Sequence, residues 1–212
     1  MDISQMKTCL PLLSSALLLA ITSSAFAASS VDLTVKGLIT PSACTPNLLG
    51  AVDYGKIAAK DLNPDSHTWL EDQTLQLSVN CEAATLFAIN PVDNRADSST
   101  IGRGSYGLGL ANGTEKLGGY QLMFSNPVAE TPSTLLYQYE QRDWAPLYPE
   151  DPVEDDMLVA LGSRGDSGWA PHPVQDALMD ITVHTAVAPA NGLSLANEVA
   201  LDGSTTFEVM YL

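Results

Sequence analysis

Apolar and polar residues take turns along much of this 212-residue chain. Alternation with a period of two marks β-strands that turn one face toward a core. Over residues 31–39 the apolar positions are Val31, Leu33, Val35 and Ile39, with Gly37 in the remaining slot and Asp32, Thr34 and Lys36 between them. Residues 74–81 put Leu75, Leu77, Val79 and Cys81 on one face, and residues 84–92 form a more continuous apolar run. Residues 106–110 and 117–124 flank an Asn112-Gly113 pair, which predicts a hairpin turn. Further strands are expected over 135–140, 157–161 and 178–187, the last alternating Ile181, Val183, Thr185 and Val187. The closing strand, 205–212, aligns Phe207, Val209 and Tyr211 behind an Asp202-Gly203 turn. Helical periodicity is sustained nowhere, so short strands parted by Gly, Pro, Asn and Asp predict an all-β sandwich or barrel. Residues 143–156, rich in proline, acids and aromatics, predict a long surface loop.

The first 27 residues change the picture of where the chain works. Lys7 precedes an apolar run at 10–21, and Ala25-Phe26-Ala27 supplies a small-residue cleavage pattern, so 1–27 reads as a secretory signal. The run is interrupted by Ser14 and Ser15 and falls short of the ~20 residues of a membrane span. The expected mature chain is 28–212, long enough for one domain with a full core. Its net charge of −16 excludes nucleic-acid binding, which needs Lys and Arg against phosphate, and fits a soluble acidic surface. Cys9 lies in the signal, so Cys44 and Cys81 allow a single disulfide in an oxidising compartment, the alternative being two buried free thiols. Such a cross-link removes about 4 kcal/mol of unfolded-state freedom in the entropic description. No histidine pair has metal-ligand spacing, and neither a metal nor a cofactor is expected.

The order of these features carries a resemblance. Leu33-Thr34-Val35-Lys36-Gly37-Leu38-Ile39-Thr40-Pro41-Ser42-Ala43-Cys44, the second cysteine Cys81, Asn112-Gly113-Thr114-Glu115-Lys116-Leu117, the Asp202-Gly203 turn and Phe207-Glu208-Val209-Met210-Tyr211-Leu212 resemble pilus subunits of the chaperone–usher pathway. Within that family they are similar to a poorly characterised group of proteobacterial fimbrial-like proteins. The resemblance implies an incomplete immunoglobulin-like (pilin) β-sandwich at 39–212 with an N-terminal donor-strand arm at 28–38. The missing strand leaves a groove, filled first by a periplasmic chaperone that delivers the subunit to an outer-membrane usher. The arm of a neighbouring pilus subunit then replaces the chaperone by strand addition. On this reading Val31, Leu33, Val35 and Ile39 plug the groove, and Gly37 meets a pocket too shallow for a side chain. Phe207, Val209 and Tyr211 form the groove-side, chaperone-binding face of the closing strand. The implied function is structural, in a fimbria at the cell surface, with a host or surface receptor left open as a further partner. The rival expectation is a monomeric exported β-sandwich, an adhesin or carbohydrate-binding module, using Trp144, Tyr148 and Trp169. Those rings better suit packing beneath the loop, where aromatics bury large area.

Other motifs carry little chemistry. Gly102-Arg103-Gly104-Ser105-Tyr106-Gly107 satisfies a dinucleotide fingerprint, but the residues that follow alternate as a strand where a pyrophosphate site needs a helix N-terminus. Gly165-Asp166-Ser167-Gly168 looks like a protease nucleophile loop without a matching base, and Arg164-Gly165-Asp166 is a tripeptide any loop can carry. His67, His172 and His184 are dispersed, and His184 falls on the polar face of its strand, where a solvent-facing ring is expected. Glu150, Asp151, Glu154, Asp155 and Asp156 lack the glycine-centred spacing of a calcium loop and read as a solvated acidic stretch. No residue set supports catalysis, so the chain is not expected to be an enzyme.

Overall fold

Where side chains alternate, strands form. The computed structural model describes residues 43–212; the signal at 1–27 and the arm at 28–38, with Val31, Leu33, Val35, Gly37 and Ile39, lie outside the described residues. The principal strands are β1 (Cys44–Leu49), β2 (Gln73–Thr85), β3 (Phe87–Asp93), β4 (Gly118–Ala129), β5 (Thr134–Gln138), β6 (Leu158–Gly165), β7 (Val174–Val187) and β8 (Thr205–Tyr211). No α-helix occurs among the described residues.

Two antiparallel sheets make an all-β sandwich. The seven-stranded sheet runs β1-β2-β7-β4 and ends on a short strand at Pro152–Val153. The six-stranded sheet starts at Ala145–Pro146 and continues β5-β6-β3-β8. Leu77, Val79, Phe124 and Ile181 from the first sheet meet Ile89, Leu135 and Val159 from the second in one buried cluster. Burial on one face and solvent on the other is what fixes register, because a one-residue slip would expose every core side chain.

The local sequence explains the turns and corrects some boundaries. Asn112 (φ 51°) and Gly113 (φ 77°) both lie in the left-handed region, as the expected Asn-Gly turn requires, and with Thr114 join Leu110–Ala111 to Glu115–Lys116. The stretch 106–110 is not one strand. Gly109, at φ 81°, turns the chain between Tyr106–Gly107, which pairs with β4, and Leu110–Ala111. The 143–156 segment is stitched down more than a free loop, because Ala145–Pro146 and Pro152–Val153 each add to a sheet edge and bury Leu147 and Val153. Glu154 pairs with Arg103 at 3.0 Å, and Asp155 accepts the Asp93 N–H at 2.7 Å, so two of its acids are structural.

Candidate functional site: an open edge of the sandwich

Cys44 and Cys81 stand directly opposite each other in the β1–β2 register and form the expected disulfide, with Cα atoms 3.9 Å apart. The bond fastens β1 to the sheet at one end. β1 carries Pro46, which a central strand would reject because proline cannot donate to a ladder; β1 is an edge strand. β8 is the edge strand of the other sheet. The two edges meet on the same side of the sandwich, where the Cys44 N–H donates to the Tyr211 hydroxyl at 3.0 Å. Among the described residues, β1 pairs only with β2 and β8 only with β3, so the second side of each meets no described strand.

Between them lies a cavity of about 270 Å³. Leu48, Val52 and Tyr54 line it from the β1 side, Phe207 and Thr205 from the β8 side, and Ile181 and Tyr120 from the core. Leu48 makes the asymmetry plain: it is 39% exposed, whereas Leu77, its cross-strand neighbour, is 1% exposed. Directly opposed residues point to the same face of a sheet, so Leu48 is an inward residue without a cover. Phe207 and Val209 are likewise only half-buried although they pack against the core, and Tyr211 is 42% exposed. Covering an exposed side chain of this kind is worth roughly 1.5–3 kcal/mol.

Polar groups set the depth of the cavity. The Tyr54 hydroxyl hydrogen-bonds the buried Thr185 Oγ1 at 2.9 Å, and the Tyr120 and Thr205 hydroxyls lie 2.6 Å apart. Burial pushes the Tyr120 hydroxyl up to about 12. Burial pushes the fully enclosed Tyr106 hydroxyl further in the same direction, with Asp155 and Asp93 adding repulsion. The Tyr54, Tyr120 and Thr205 hydroxyls thus hydrogen-bond inside the cavity, whereas the enclosed Tyr106 hydroxyl has no hydrogen-bond partner among the described residues. The arrangement suits an extended segment: two backbone edges to hydrogen-bond and an apolar trough for alternate side chains.

The sequence identified Phe207, Val209 and Tyr211, and β8 places them on one face as expected. It did not identify Leu48, Tyr54 or Thr205. Tyr120 was legible, since it shares a face with Leu122 and Phe124 in β4. Among the described residues no ring contact joins the three aromatics of the rival reading to one another. Trp144 precedes the edge strand at Ala145–Pro146, Tyr148 is 57% exposed, and Trp169 lies in Gly168–Pro171 opposite Arg164. Ring contacts among the described residues are instead Trp69–His184, Tyr106–Tyr120 and Phe124–Phe207. His184 therefore is not simply solvent-facing; it stacks on Trp69 and hydrogen-bonds Asp72. His67 is also engaged, 2.8 Å from the Thr100 hydroxyl.

Comparison with known proteins matches residues 33–112 to a family described as protein of unknown function (DUF1120). That span holds β1 to β3 and both bridged cysteines. The chain is 26% identical over 227 residues to the uncharacterized protein YhcF of Escherichia coli (strain K12), covering 89% of this chain and 93% of YhcF. It is 42% identical over 86 residues to protein GltF of the same organism, covering 37% of this chain and 33% of GltF.

Proposed function

We propose that this chain is a structural subunit of a surface fimbria, polymerised head to tail by strand donation. The observation that carries the reading is the apolar trough between β1 and β8, bounded by two edge strands whose outer sides meet no described strand and lined by the half-exposed Leu48 and Phe207. An uncovered edge of this kind is an aggregation hazard, and a chaperone that lends a strand during export removes it. The proposed partners are that periplasmic chaperone, an outer-membrane usher and neighbouring copies of the subunit. The occupant in the fibre is the 28–38 arm and the residue after it, with Val31, Leu33, Val35 and Ile39 as alternate plugs and Gly37 at a tight point. The interface is heterologous, so it grows as a filament rather than closing. No catalytic role is proposed.

Deleting residues 28–36 tests the reading. The shortened protein is expected to bind the chaperone and fail to polymerise, and filaments formed at the normal rate would refute it. Gly37→Arg is expected to block donation while leaving the subunit's own thermal unfolding unchanged.

A further inference from the structure

We propose that Trp69, Asp72, His184 and Gln121 form a binding site for a neutral sugar ring on the outer face of the larger sheet. Trp69 does not serve the core: it is 49% exposed, on a two-residue strand, Thr68–Trp69, that pairs with the end of β7. The segment is nonetheless pinned. The Leu70 N–H donates to the Thr185 carbonyl at 2.9 Å, the Thr68 hydroxyl accepts the Asn63 N–H at 2.7 Å, and His67 holds Thr100. An indole fixed in this way loses little further freedom when a ligand stacks on it.

The groups around the indole are arranged for hydroxyls. His184 stacks on Trp69 with ring centroids 4.3 Å apart and planes 18° from parallel. Its Nδ1 hydrogen-bonds Asp72 Oδ1, which fixes the orientation of the ring and leaves Nε2 on its outer edge. The side chains of His184 and Asp72 are 33% and 50% exposed, and among the described residues neither Nε2 nor Asp72 Oδ2 has a hydrogen-bond partner. Gln121 sits opposite His184 in the β4–β7 register and brings an amide with both a donor and an acceptor. The open side of the Trp69–His184 stack, with the Asp72 carboxylate beside it and the Gln121 amide across β7, matches a pyranose, whose C–H face lies on an aromatic ring while its hydroxyls bond to oxygen and nitrogen. The net charge of −16 and the Asp72 carboxylate disfavour anionic ligands.

This site does not depend on the groove. His184 points outward from β7, whereas its neighbour Thr185 points inward to Tyr54, so filling the groove leaves the stacked pair accessible.

The test uses the exported full chain on an array of neutral oligosaccharides ending in glucose, galactose, mannose or N-acetylhexosamine, with the affinity of the best-retained glycan then measured by tryptophan fluorescence. Retention of at least one neutral glycan is expected. Trp69→Ala should weaken it about tenfold or more, equivalent to about 1.4 kcal/mol, and Trp69→Phe should restore part of the loss. Near-ultraviolet circular dichroism checks that the variants stay folded; should Trp69→Ala fail to fold, Gln121→Ala and Asp72→Asn carry the test and should each weaken binding. Absence of any retained neutral glycan, or retention unchanged in the folded variants, would overturn the proposal.

Discussion

Phe207 packs edge-on against Phe124 across the sandwich, with ring centroids 6.2 Å apart and planes 74° from parallel. Phe124 is fully buried in β4; Phe207 is half-buried in β8 and lines the open trough. One ring pair thus ties the last strand to the core while leaving part of Phe207 for an occupant. Edge-to-face pairs contribute about 0.5–1.5 kcal/mol beyond the area they bury.

Phe207→Ala should therefore cost less than Phe124→Ala. A fully buried Phe→Ala change costs about 3–5 kcal/mol, which is the expectation for Phe124, and about half of that is expected for Phe207. Urea denaturation of both variants checks the ranking. Only Phe207→Ala is expected to weaken strand capture in proportion beyond its effect on stability.

Gly203 is needed for a close approach rather than for an unusual backbone angle. A Cβ there would lie 2.8 Å from Tyr120 Cε1 and 3.1 Å from Leu108 Cδ2. Gly203→Ala should displace the Tyr120 ring, lengthen its contact with the Thr205 hydroxyl and cost about 1–3 kcal/mol, as overpacking does. The near-ultraviolet spectrum and the denaturation midpoint should both shift.

The Cys44–Cys81 bond closes a sequence separation of 37 residues, which removes about 4 kcal/mol of unfolded-state freedom in the entropic description. Reduction, or the double change Cys44→Ser with Cys81→Ser, should lower stability by that order and release the β1 end of the trough. Denaturation with and without dithiothreitol measures it, and an unchanged midpoint would contradict the assignment.

Alkaline pH should destabilise the fold through its buried phenols. Tyr120 is held up to about 12 by burial, and Tyr106 is raised further. An unfolded tyrosine ionises near pH 10, so their contribution is complete below about pH 10 and lost as pH rises through the folded values. At the acid end the sign reverses. Hydrogen bonds from Ser194 to Glu115, from Asp176 to Glu130 and from Arg95 to Asp202 hold these carboxyls below their usual range. Their contribution is present above the ordinary carboxylate range and lost as pH falls through the folded values. Denaturation midpoints against pH, with tyrosinate absorbance above pH 9, should show a plateau with both flanks.

Strands that alternate without interruption were legible in the sequence. Leu75 to Cys81 and Ile181 to Val187 lie inward as their period demands, Phe207 and Val209 share a half-buried face, and Asn112-Gly113 turns where it should. β1 was hidden because Pro46 and Asn47 interrupt its apolar positions, and only its place at a sheet edge lets it form. The trough depends on which strand edges remain unpaired, a property of long-range pairing that no local period encodes; the family resemblance implied it, and Leu48 opposite Leu77 gives it substance. Trp69 was missed because a two-residue strand has no period to detect.

Hydrogen exchange tests the open edge most directly. A chain lacking residues 28–38 is mixed with a peptide of residues 28–39, and amide exchange is followed through Cys44–Leu49 and Thr205–Tyr211. If the trough accepts a strand, the amides of β1 and β8 that point away from β2 and β3 become protected, and a peptide carrying Gly37→Arg leaves them unprotected. Peptide binding without new protection on either strand, or equal protection by the Gly37→Arg peptide, would contradict strand donation.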